Sequence, residues 1–134
     1  WVPATPVGGM GMQRWVYPAA APIFPAVESW HDDDEAVEAY WGPSVHWNTF
    51  VQRYVMLLSK AKNTGYDQEG VYISYATALD DPRLWSAPSK ILNGGTWYPQ
   101  VLGIEAGVGT DKIAGEWARF YMMGTSHYFL RFTR

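Results

Sequence analysis

Trp41-Gly42-Pro43-Ser44-Val45-His46-Trp47-Asn48-Thr49-Phe50 decides how the rest of the chain reads. Gly-Pro marks a turn. Residues 45–50 then read as a strand that carries polar groups where apolar ones are expected. A nearly all-apolar strand follows, Arg53-Tyr54-Val55-Met56-Leu57-Leu58-Ser59. Its run over residues 54–58 suits a strand buried on both faces. The third strand is Gly70-Val71-Tyr72-Ile73-Ser74-Tyr75, and residues 85–92 are the fourth candidate. Lys62-Asn63-Thr64-Gly65 and Asp80-Asp81-Pro82 supply the turns between them.

Four short strands joined by turns over about fifty residues match the spacing of one β-propeller blade. The pattern then restarts. Asn93-Gly94-Gly95 is a turn, residues 97–104 a strand, residues 105–112 a Gly-rich loop, and residues 117–123 and 128–132 two further strands. Aligned by this order, residues 97–101 lie opposite 43–47, and residues 118–123 opposite 53–58. The expected fold is all-β, with two consecutive blades over residues 41–92 and 93–134. Residues 1–40 precede them as a loop-rich segment. There Pro3, Pro6, Pro18, Pro22 and Pro25 interrupt helix and central strand alike. Within that segment residues 13–17 read as one short strand. Residues 32–40 read as a helical turn or two with an acidic start.

Composition narrows the classes. At 134 residues, 48% hydrophobic and 17% charged, the chain has the bulk of one modest folded domain. Its 8 Trp and 9 Tyr favour strands and also suit stacking on sugar rings. A net charge of -3 without a basic cluster disfavours a nucleic-acid partner. The Cys count of 0 removes disulfides, thiolate zinc sites and cysteine nucleophiles. No apolar run approaches the roughly 20 residues of a membrane helix. Because Trp1 opens the chain, it reads as part of a longer protein. No Ser-His-Asp spacing, phosphate loop or nucleotide fingerprint is present.

The sequence of a polar inner strand, an apolar second strand, Gly70-Val71-Tyr72-Ile73-Ser74, and then Leu79-Asp80-Asp81-Pro82 with Trp85 and Pro88 resembles a blade of the five-bladed β-propeller glycoside hydrolases. Arabinanases, xylosidases and fructan hydrolases belong to that superfamily. The resemblance covers residues 41–132 and implies the C-terminal part of a longer ring, whose remaining blades would be its partners. It further implies a carbohydrate ligand, an extracellular or periplasmic setting, and a possible calcium ion in the channel. Catalysis in the superfamily uses carboxylates on inner strands, and glycosidic cleavage ordinarily needs two about 5 to 9.5 Å apart. The inner strands here carry His46, Trp47, Asn48, Tyr98 and Gln100 instead. Two readings therefore stand: part of a glycoside hydrolase-like propeller, or a non-catalytic carbohydrate-binding or interaction propeller.

The candidate residues follow from the same pattern. His46 on an inner strand is a substrate donor or metal ligand; the competing reading is a histidine that fixes a blade interface. Asn48, two residues on, shares its face, whereas Trp47 points the other way and reads as core. Trp97 and Tyr98 open the second inner strand as stacking rings or as packing, and Gln100 shares a face with Tyr98. These groups are expected to converge, with His46, Asn48, Tyr98 and Gln100 at one channel mouth. Glu69, in a Glu-Gly pair at a strand start, matches the superfamily's acid donor in type but opens a third strand. The Asp32-Asp33-Asp34 run lacks a calcium-loop pattern and reads as a solvated turn. Arg119, inside an apolar strand, requires a partner.

Overall fold

The structure, a computed structural model, describes residues 40–63, 65–105 and 110–134, with His127 as backbone only. The expectations for residues 13–17 and 32–39 lie outside the described residues. What is described is all-β: β1 Tyr40–Asn48, β2 Arg53–Ala61, β3 Gln68–Ala76, β4 Ser89–Asn93, β5 Gln100–Gly103, β6 Ile113–Ala114, β7 Trp117–Met122 and β8 Thr125–Arg131. Among the described residues helix is confined to a 3-10 turn at Pro82–Leu84. One sheet has five strands in the order β4-β3-β2-β1-β6, and the other three in the order β5-β7-β8.

β2 and β3 show why the first sheet forms. Their side chains alternate between two faces, and both faces are apolar. Val55, Leu57, Val71 and Ile73 point to one core, with Val101, Ala118, Phe120, Met122 and Phe132 supplied by and around the second sheet. Met56, Leu58, Tyr72 and Ala76 point to the other, closed by Trp85 and flanked by Tyr40 and Tyr54. Each fully buried Val, Leu or Phe contributes about 1.5–3 kcal/mol. The first core therefore holds the two sheets together. Tyr40, expected to end a helical turn, instead opens β1 opposite Lys60 and meets the Tyr72 ring edge-on at 5.3 Å.

Several strand ends differ from the sequence expectation, each for a local reason. β1 stops at Asn48 rather than residue 50, because the Asn48 side chain accepts from the N–H groups of Phe50 and Val51, both at 3.0 Å, and turns the chain. β4 begins at Ser89 rather than Trp85. Before it, Asp81 accepts from Arg83 N at 2.9 Å to cap the 3-10 turn, and Trp85 drops into the core. Ser86 meanwhile tethers to β3 through Tyr75 and Ser74. β5 is four residues long because Tyr98 has φ 60 and Pro99 has no N–H to offer a ladder. β8 starts early, at Thr125, because Met123 (φ 48) and Gly124 (φ 74) make a two-residue turn left-handed at both positions. Arg119 finds its partners in Ser126 Oγ, at 2.9 Å, and the Phe129 ring, on an exposed face.

β6 was not foreseen. It pairs parallel to β1, Trp47 with Ile113 and Asn48 with Ala114. Trp47 N donates to Lys112 O and Thr49 N to Ala114 O, each at 2.8 Å. The connection between β5 and β7 is thus stitched to the edge of the first sheet.

Gly70 sets how closely β3 and β4 approach. A Cβ there would lie 2.5 Å from the Leu92 carbonyl oxygen, and backbone cannot yield as a side-chain tip does. Gly70→Ala is expected to cost about 1–3 kcal/mol. The loss should come with faster hydrogen exchange across β4 than across β2. Protection in β4 equal to the parent's would overturn this.

Candidate functional site

β1 delivers His46 and Asn48 to one face, as their spacing requires, but that face is interior. His46 is 2% exposed and Asn48 0%. The His46 ring lies 5.8 Å from that of Phe132, edge to face. Its Nε2 is buried and has no hydrogen-bond partner among the described residues. Burial penalises the imidazolium and lowers the His46 pKa to about 4. Asn48 spends its amide on the backbone: Nδ2 donates to Gly115 O at 2.9 Å, while Oδ1 accepts the two turn N–H groups. Trp47, read as core, is only half-buried and packs on Tyr54 at 4.9 Å. The face assignment holds, but which face is covered is the reverse of the expectation.

Glu69 sits at the start of β3 beside the tip of Tyr72, whose hydroxyl donates to it at 2.6 Å, and is paired with Lys90. Desolvation raises its pKa. The hydrogen bonds from Lys90 and Tyr72 and the charges of Lys90 and Lys60 outweigh that and hold the carboxyl below its ordinary value. A carboxyl kept ionised is a poor proton donor. Among the described residues no group of three or more His, Asp or Glu is placed to hold a metal ion, so His46 has no such group beside it there.

Tyr98 and Gln100 do come together, elsewhere. With Pro99 they face Gly42, Pro43 and Ser44 across an open groove of about 390 Å³. The pairing of β1 with β2 slips between Trp41 and Ser44, which swings Gly42 and Pro43 out of the ladder. Ser44 Oγ donates to Pro99 O at 2.6 Å and ties the two walls. Gly42, at φ 57, leaves room for the neighbouring ring: a Cβ there would stand 3.1 Å from Tyr98 Cδ1. Tyr98 is 57% exposed. Gln100 Nε2 donates to Asp111 Oδ2 at 3.4 Å. Trp97 is half-buried and not among the lining residues, 6.1 Å from the Trp41 ring, and Trp41 in turn lies 6.3 Å from Tyr66.

The four groups expected at one mouth are therefore divided between two places. Tyr98 and Gln100 line the groove, whereas His46 and Asn48 belong to the interior and are not among its lining residues. Sequence reasoning missed Gly42, Pro43 and Ser44 as groove residues, and Asp111 as the partner of Gln100. The available signal was Gly42-Pro43, a pair that takes the chain out of a ladder. No protein-family model, curated protein or solved structure matches this chain.

Proposed function

We propose that this chain is a carbohydrate-binding part of a β-propeller with glycoside hydrolase-like architecture, and that the groove between Gly42–Ser44 and Tyr98–Gln100 holds the sugar. In this reading β1 to β4 form one blade and β5, β7 and β8 belong to the next. The carrying observation is Tyr98, a bulky residue held at φ 60 with its ring exposed beside polar groups. A left-handed tyrosine is strained, and strain of this kind collects at binding sites. An exposed ring next to an amide and a hydroxyl is the combination that sugar faces and hydroxyls require. Binding rather than cleavage is favoured because β1 and β5 carry no carboxylate and Glu69 is held ionised.

Tyr98→Asn separates function from folding, because asparagine tolerates the left-handed region. The variant is expected to keep the parent's stability to within about 1 kcal/mol. It should lose at least about tenfold in affinity for a soluble polysaccharide, the equivalent of about 1.4 kcal/mol of stacking. Affinity electrophoresis in arabinan, xylan and inulin provides the measurement. Equal retardation of parent and variant in every polymer that retards the parent would remove the groove from the proposal.

A further inference from the structure

The hydrogen-bonding polarity of the groove is lopsided. Two of its six lining residues, Pro43 and Pro99, have no N–H. The proton of Ser44 is committed to Pro99 O, so Ser44 presents lone pairs. Gln100 is fixed by the same logic. An ionised Asp111 accepts only, so the Gln100 amide must turn its NH2 toward Asp111, leaving Oε1 as its remaining acceptor. Among the described residues no cation pairs with Asp111; the ion pairs found are Arg83–Asp81, Lys90–Glu69 and Arg131–Glu116. The side-chain donors of the lining set left uncommitted are the Tyr98 hydroxyl and the second N–H of the Gln100 amide.

We infer that this groove selects ligands rich in hydrogen-bond donors, namely neutral or amine-bearing sugars, and that Asp111 excludes acidic ones. The inference rests on the carbohydrate reading above and adds to it a charge rule. A ligand hydroxyl or ammonium donates into Ser44 Oγ and Gln100 Oε1. A ligand carboxylate or sulfate meets those same acceptors and the Asp111 charge beside Gln100. Asp111 acts here through Gln100 and through its field, as a positioning residue.

The test uses each neutral polymer (arabinan, xylan, inulin) beside its own carboxymethyl derivative, in which a carboxylate on a short ether arm replaces a hydroxyl hydrogen. The bulk of that arm is the same for parent and Asp111→Asn, so the change in ratio between the two proteins reads the charge. Affinity electrophoresis at about 0.15 M salt confines the comparison to charges within roughly 8 Å. The parent chain should bind the carboxymethyl form at least about tenfold more weakly than the neutral form. Asp111→Asn, an exposed substitution expected to be within about 0.5 kcal/mol in stability, should narrow that ratio several-fold. Equal binding of both forms by the parent, or an unchanged ratio in Asp111→Asn, overturns the charge rule and leaves the carbohydrate reading standing. Retardation by no polymer, neutral or charged, overturns both.

Discussion

Lowering the pH from 6.5 to about 4 is expected to cost this fold about 3 kcal/mol through His46 alone. In the unfolded chain the imidazole takes up a proton near its ordinary pKa of 6.5, whereas in the folded chain burial holds it neutral down to about 4. Between those values the unfolded state binds more protons, so stability falls as pH falls, by about 1.4 kcal/mol per unit at most. Above 6.5 both states are neutral and the contribution is flat. Below about 4 both are charged and no further loss accrues. Glu69, whose pKa is lowered, acts in a different window: its contribution is present above the ordinary carboxylate value and is lost as pH drops through its folded value. Urea unfolding of the parent and of His46→Leu at several pH values isolates the histidine, because the other groups cancel in the difference. The variant removes a buried nitrogen that has no partner among the described residues, so it should hold its stability near neutrality. The gap between the two proteins should then shift by about 3 kcal/mol in the variant's favour as the pH falls. Parallel curves from pH 6.5 to 4 would show that His46 does not titrate differently in the two states.

Asn48→Ala is expected to cost about 3–4 kcal/mol, among the largest effects of any single polar substitution here. Its amide serves three backbone groups in a site with no exposure: the Gly115 carbonyl and the Phe50 and Val51 N–H groups. Alanine leaves the bonding site of the Gly115 carbonyl buried and unserved and the two turn N–H groups part-buried and unserved, and an unsatisfied buried group costs about 1–3 kcal/mol. Asn48→Asp divides the role. Its carboxylate still accepts from the turn, but it has no proton for Gly115 and sets a charge against that carbonyl. In the aspartate variant, exchange at the β6 amides should therefore accelerate while the β1–β2 turn stays protected. An urea midpoint for Asn48→Ala equivalent to a loss under about 1 kcal/mol would mean that solvent or rearranged backbone replaces the amide.

What was legible in the sequence was what local pattern dictates. The run over residues 54–58 announces a strand buried twice over, and β2 is that strand, with β3 beside it at the expected place. The all-β class followed from these and from the aromatic load. The less legible features depend on pairing or on backbone shape. β6 is two residues long and owes its strand geometry to β1, not to propensity. Tyr98 has high strand propensity, yet its left-handed φ ends the strand that propensity would extend. For His46 and Asn48, period two identifies a common face but says nothing about what covers it. The cover includes Phe132, supplied by the far end of the chain. The groove was half legible: Tyr98 and Gln100 were placed together, but their opposite wall comes from an irregularity in β1 that no alternation of residue types encodes.

The stitching of β6 onto β1 also sets a hazard during synthesis. The β1–β4 meander is complete once Asn93 has been made, and Ile113 follows 20 residues later (113 − 93). At about 5–20 residues per second, a ribosome takes roughly 1–4 s to supply them. For that interval the Trp47–Asn48 end of β1 shows a neighbouring nascent chain the same hydrogen-bonding groups it later gives to Lys112 and Ala114. Open strand edges are templates for wrong partners. A neighbouring nascent chain on the same message therefore competes with residues 112–114 for that edge until they are made.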